Sequence, residues 1–174
     1  NGLANGDNVN YDGFANSRFA IAVSAIGHTG VQPPYSESGA PIIVGAPSGL
    51  TGFFDCNVQP GIPTTDRVGN DGFHNTDYTG CFGGTSSAAP LVSGIVALML
   101  DANPNLTWRD VQHILVQSAR MNDPAGAGWA VNAGNHPVNH RYGFGAVNAL
   151  GAVNLAMGWT TVAPEFVIDS GQMN

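Results

Sequence analysis

The sequence predicts an α/β fold with a mainly parallel sheet, and three observations carry that reading. Phe19–Ile26 and Ile42–Ala46 are nearly continuous apolar runs of strand length. Such runs suit strands covered on both faces, as in a parallel sheet. Gly83-Gly84-Thr85-Ser86-Ser87-Ala88-Ala89-Pro90 leads into the apolar stretch Leu91–Leu100, a helix with so little polar face that it should be buried. A second helix begins at Leu106-Thr107-Trp108-Arg109-Asp110-Val111. There Thr107 is the expected N-cap, Asp110 completes a capping box, and Leu106 and Val111 occupy the hydrophobic-staple positions.

The other elements follow in order. Residues 1–17, rich in glycine and asparagine, read as a loop, and so does His28–Ala40 with its Pro33-Pro34 pair. Ser48–Phe82 is long, polar and turn-rich, with a hairpin expected around Thr64-Thr65-Asp66; loops of that length are usually functional or carry short strands. Pro90 is expected in the first turn of the apolar helix, where a missing N–H costs nothing. Asn103-Pro104 should end that helix. In the capped helix Val111, Ile114, Leu115 and Ala119 fall on one face. Trp129–Val138 alternates enough for a short hairpin, Tyr142-Gly143-Phe144-Gly145 forms a turn, and a last helix runs from about Asn148 to Met157, followed by an extended tail.

Composition narrows the function classes. At 174 residues the chain is long enough for one domain with a sizeable core. The net charge is −7 and all five basic residues are arginines, which argues against nucleic acid or an anionic membrane surface as partner. No apolar run approaches the roughly 20 residues of a membrane span. The chain starts at Asn1 without methionine or signal peptide, so it is expected to be processed or a piece of something longer. Cys56 and Cys81 lie in the glycine- and proline-rich loop. Free thiols are one reading; the extracellular look of the composition favours a disulfide, contributing about 3–4 kcal/mol in the chain-entropy model.

Ser86 is the candidate nucleophile. A serine at the mouth of a helix sits where backbone N–H groups and the positive end of the dipole are free, which suits a reaction that develops an oxyanion. The plainer alternative is a serine or threonine N-cap. Gly83-Gly84 would let backbone approach a ligand closely, and small neighbours leave Ser86 open to substrate. An α/β-hydrolase elbow, Gly-x-Ser-x-Gly, fails because Ala88 stands where the second glycine is needed. A Ser-x-x-Lys site is excluded by the absence of lysine.

Several strings together resemble the C-terminal half of the catalytic domain of kexin/furin-type subtilisin-like serine proteases, with a bacterial member the expectation. They are Asp7-Asn8-Val9-Asn10-Tyr11-Asp12-Gly13, Tyr35-Ser36-Glu37, Gly84-Thr85-Ser86-Ser87-Ala88-Ala89-Pro90, Asn105-Leu106-Thr107-Trp108-Arg109-Asp110, Tyr142-Gly143-Phe144-Gly145 and Trp159-Thr160-Thr161-Val162-Ala163-Pro164. The resemblance implies a subtilisin-like three-layer fold, incomplete in this chain. It divides the chain into residues 1–157 of a catalytic domain and residues 158–174, a connector toward a P domain.

The same resemblance implies roles. Ser86 is the nucleophile, with Gly84 and Thr85 in the substrate-binding stretch and Ser87 shaping the site. Asn1 is the oxyanion residue, its amide acting with the Ser86 backbone N–H; an incidental chain terminus is the other reading. Asp12 helps form an acidic pocket for a P1 arginine or lysine, or else caps an Asx-turn before Gly13. Asp7 and Glu37 are calcium ligands beside that pocket, with at least one further ligand upstream; a solvated loop face is the alternative. The family's Asp and His precede its Ser, and none of His28, His74, His113, His136 and His140 stands at a position used for the base. The expected partners are therefore an N-terminal segment of the same protease carrying Asp and His, and a peptide or protein substrate. The expected compartment is secreted or periplasmic. The competing function is a non-catalytic calcium-binding or clipped, inactive remnant.

Overall fold

The computed structural model describes residues 6–50 and 60–166. The two apolar runs supply β1 (Ala22–Ile26) and β2 (Ile42–Pro47), paired in parallel as their patterning predicts. The first strand, however, starts three residues later than expected: Phe19 and Ala20 lie in a turn, with Phe19 66% exposed against Trp108. Ala22 pairs with Ile42 and Ile26 with Pro47, with one irregularity after Ala22. The Tyr142–Gly145 turn then lays the chain along β2. The Phe144 N–H donates to the Ile43 carbonyl and the Gly45 N–H to the Gly145 carbonyl, both at 2.9 Å. Gly143 has φ +60°, and a Cβ there would collide with the carbonyl groups of Ile42 and Ile43. Only glycine admits both that backbone and that approach.

The expected hairpin is β3 (Ile62–Thr65) against β4 (Tyr78–Phe82), antiparallel. Thr64-Thr65 close β3 rather than form the turn, and Asp66 begins a longer connection. Its carboxylate organises that connection by accepting the Arg67 and His74 N–H groups at 2.8 and 2.9 Å. A second short hairpin joins β5 (Ala130–Val131) to β6 (Pro137–Val138).

Among the described residues three α-helices complete the fold: α1 (Thr85–Ala102), α2 (Trp108–Ser118) and α3 (Ala149–Met157). The α2 capping box forms as predicted. Thr107 Oγ1 accepts the Asp110 N–H at 3.3 Å, and an Asp110 carboxylate oxygen accepts the Thr107 N–H at 2.7 Å. Leu106 and Val111 join Ile114 and Leu115 in the core. Asn148 caps α3, its side chain accepting the Gly151 N–H at 3.1 Å. The core lies between β1 and β2 on one side and the three helices on the other, with Ala25, Val44 and Ala46 facing Val92, Met99, Ile114 and Ala152.

Two expectations for α1 need correction. The helix starts at Thr85, so Pro90 lies inside it. It therefore removes the i→i−4 bond that would reach the Ser86 carbonyl. Nor is α1 buried all round. Ala88, Val92 and Met99 enter the core, but Leu91, Leu98 and Leu100 are 36%, 55% and 39% exposed. The packing of α1 comes chiefly from β1, β2 and α3. By length and composition α1 could cross a membrane, yet its buried stripe is the core of this α/β layer.

Residues 158–166, which follow α3, have no regular secondary structure but are well anchored. Fully buried Asp110 accepts the Trp159 Nε1–H at 2.9 Å and the Val162 N–H at 2.8 Å. Arg109 donates to the Ala163 carbonyl at 2.7 Å, and Arg18 pairs with Glu165.

Candidate active site

The N-terminus of α1 stands next to the C-terminal ends of β1 and β2, where open α/β sheets place their sites. Gly84 is the N-cap, at φ +80° and ψ 171°. Thr85 and Ser86 are the first two helical residues, and both side chains are exposed. The N-cap reading of Ser86 is thus replaced: glycine occupies the cap, and Ser86 sits in the first turn, where helix N–H groups lack intrahelical partners. Ser87 turns inward, 1% exposed, and its N–H donates to the Gly84 carbonyl at 3.1 Å.

Beside Thr85 opens a cavity of about 230 Å³, lined by Asp12, Ser24, Tyr35, Ser36, Glu37 and Thr85 among others. It brings three of the sequence-predicted residues, Asp12, Glu37 and Thr85, to one place. The Asx-turn reading of Asp12 is met. One carboxylate oxygen accepts the Phe14 and Ala15 N–H groups at 2.8 and 2.9 Å, forming the Asx-turn, while the residue still lines the cavity. The turn fixes the carboxylate and leaves its second oxygen available.

Asp7 and Glu37 are brought side by side by a bridge between their successors, Asn8 and Ser38, with the Val9 N–H donating to the Ser38 carbonyl at 3.0 Å. Among the described residues no three His, Cys, Asp or Glu side chains gather as a metal site. Two adjacent carboxylates supply only part of the oxygen shell that calcium requires.

Asn1 and Cys56 lie outside the described residues. Cys81 is buried on β4 and is not a free thiol; its sulfur lies 3.6 Å from His74 Nε2. No histidine among the described residues is placed to activate Ser86. His74 contacts Cys81, His136 packs edge-on against Phe144, and His28, His113 and His140 are exposed.

Sequence reasoning missed Ser24 and Ser48. Ser24 lines the cavity while its buried Oγ has no hydrogen-bond partner among the described residues. Beneath α1, Tyr35, Ser48 and Ser87 share a hydroxyl network. Burial pushes the Tyr35 phenol above its ordinary value, an effect that the hydrogen bonds from Ser48 and Gly84 partly offset. A serine outside every recognisable string, as Ser24 and Ser48 are, gives no sequence signal of such a contact.

Comparison with known proteins places this geometry. Kexin of Saccharomyces cerevisiae is 36% identical over 167 residues, covering 93% of this chain and 18% of the relative. Human proprotein convertase subtilisin/kexin type 7 is 40% identical over 165 residues, covering 93% and 20%. The chain therefore spans about a fifth of the length of these curated relatives. Among solved structures, the Aeromonas sobria serine protease superposes with a TM-score of 0.74 at 30% identity, over 83% of this chain and 30% of that one. Fervidolysin from Fervidobacterium pennivorans, a keratinolytic enzyme related to subtilisin, gives 0.59 at 25% identity, over 83% and 20%. The fold is subtilisin-like, the Peptidase_S8 profile matches residues 1–145, and the chain belongs to the Subtilase family.

Proposed function

We propose that this chain is the nucleophile-bearing part of a subtilisin-type serine endopeptidase of the kexin/furin branch. The observation that carries the proposal is the exposed Ser86 in the first turn of α1, next to a cavity lined by Asp12 and Glu37. Ser86 Oγ attacks the scissile carbonyl carbon and its proton passes to an imidazole. The C–N bond breaks as that proton reaches the leaving amine. Water, deprotonated by the same imidazole, then hydrolyses the acyl-enzyme. The oxyanion takes hydrogen bonds from the Ser86 N–H and the Asn1 amide, a donor of the kind worth about 2.7–4 kcal/mol in the transition state.

The imidazole and its aspartate belong to an N-terminal segment of the same protease. Leu91 and Leu98, seven residues apart on one side of α1 and exposed among the described residues, support this. Asp12 favours a P1 arginine or lysine through its second carboxylate oxygen. Asp7 and Glu37 hold a calcium ion whose remaining oxygens come from outside the described residues; the cation would screen two neighbouring carboxylates. Cys56 pairs with Cys81, and the protein works in a secreted or periplasmic setting.

A serine-directed phosphonate applied to the full protein that carries this chain tests the proposal. Covalent label on the peptide containing Ser86, absent after Ser86→Ala, is the expected result. A folded parent that takes no label refutes the catalytic reading in favour of a non-catalytic remnant.

A further inference from the structure

The carbonyl of Gly84, two residues before the nucleophile, accepts three donors. They are the Ser87 N–H at 3.1 Å, the Ser87 hydroxyl at 3.0 Å and the Ser48 hydroxyl at 2.9 Å. Ser48 and Ser87 are almost fully buried, and their hydroxyls are 2.9 Å apart. The Tyr35 hydroxyl lies 2.8 Å from Ser48 Oγ and donates to the Gly49 carbonyl.

Each hydroxyl has one proton to give. The Tyr35 proton is shared between the Gly49 carbonyl and Ser48 Oγ, and the Ser87 proton between the Gly84 carbonyl and Ser48 Oγ. That leaves the Ser48 proton for the Gly84 carbonyl. Ser48 is itself pinned to the sheet, because its N–H donates to the Ile26 carbonyl at 2.8 Å, at the last residue of β1. A continuous line of hydrogen bonds thus runs from the C-terminal edge of the sheet to the peptide that opens α1. Gly84 needs such a hold: at φ +80° it carries no side chain that could cap the helix or restrain the peptide.

We propose that Ser48, backed by Tyr35 and joined by Ser87, is a positioning residue for the nucleophile. Its hydroxyl locks the Gly84 carbonyl to the sheet and so sets where Ser86 presents both Oγ and its backbone N–H. The proposal rests on Ser86 being the nucleophile, and it assigns the accuracy of that placement to a buried hydroxyl that never touches substrate. Misplacement of a reacting group by about 1 Å costs on the order of a hundredfold in rate.

The test uses the full protease carrying this chain, with phosphonate labelling of Ser86 and steady-state kinetics on a peptide substrate. Ser48→Ala should slow labelling and lower kcat about tenfold while KM stays within about twofold. Ser48→Ala with Ser87→Ala should lower both by more than the product of the single effects, since the two hydroxyls back each other on one carbonyl. Ser93→Ala removes a hydroxyl of the same helix, bonded to the Ala89 carbonyl at 3.2 Å, and should change neither. A parent-like labelling rate in Ser48→Ala overturns the proposal, and so does a rise in KM without a fall in kcat. If the parent itself takes no label, the nucleophile assignment fails first and carries the proposal with it. Should Ser48→Ala not fold, Tyr35→Phe gives the same answer through amide exchange. Faster exchange at Ser87 with a lower kcat supports the network, and unchanged exchange refutes it.

Discussion

Asp110→Asn isolates what a single buried carboxylate does for this fold. Asp110 is fully buried, yet its carboxyl lies low, at about 2 against an ordinary 3.8. Burial alone would raise it; hydrogen bonds from the Val162 and Thr107 N–H groups, the Thr107 hydroxyl and the Trp159 indole more than reverse that. One oxygen serves the α2 cap and the other holds the tail. The depression corresponds to about 2 kcal/mol in favour of the ionised folded form.

An asparagine keeps one acceptor but turns an NH₂ group toward donors, so the loss should be at least that large. Amide exchange at Val162 reads it locally, without assuming two-state unfolding of a larger protein. Exchange there should speed up by about thirtyfold or more at pH 7. The pH dependence has a fixed sign. A carboxyl depressed on folding stabilises fully above 3.8 and loses its effect as pH falls through about 2. The difference between parent and variant should therefore be constant from neutral pH down to about 5 and close toward pH 2. Val162 exchange unchanged within about twofold at pH 7 would refute the argument.

Three further outcomes are expected. Asp12→Ala should remove the preference for arginine over leucine at P1 and loosen the Phe14–Ala15 turn, seen as a fall in kcat/KM for the arginine peptide alone; equal falls for both peptides refute a pocket role. Gly143→Ala should cost about 2–4 kcal/mol through backbone strain and collision with the Ile42 and Ile43 carbonyls, read as a loss of thermal stability. Chelation should lower the thermal midpoint of the parent but not of an Asp7→Asn, Glu37→Gln double variant; an equal drop in both places the calcium elsewhere.

Local signals in the sequence identify much of this fold, and the reason differs from element to element. The strands β1 and β2 were readable because nearly continuous apolar runs suit strands covered on both faces, although Phe19 at the head of the first run turned out to the surface. The α2 cap was readable because Thr107, Asp110, Leu106 and Val111 all act within one turn. The start of α1 was not readable from Pro90. Proline favours the first turn of a helix, but the Gly84 carbonyl and its hydroxyl donors set the boundary at Thr85. One of those donors is Ser48, 36 residues upstream, a separation that no local pattern encodes. The cavity was half legible. Asp12 and Glu37 stood in recognisable strings, whereas Ser24 looked like any small residue of a buried strand.

The two sides of α1 link stability to catalysis. A surface helix normally turns polar residues toward water, but away from Val92 and Met99 this one offers Gly94, Ala97 and Leu98 beside only Ser93 and Asp101. Fully burying a leucine contributes about 1.5–3 kcal/mol, so Leu91, Leu98 and Leu100 forgo a large share of a typical domain's net stability while uncovered. On the proposal that an N-terminal segment covers them, that segment would bring the catalytic imidazole and the missing apolar contacts together. Binding energy gained along the helix would then act at its first turn, where Ser86 sits on the peptide held by Ser48. Weakening the outer face, for example by Leu98→Gln, should lower stability and slow Ser86 labelling in parallel. Ser48→Ala should slow labelling far more than it lowers stability.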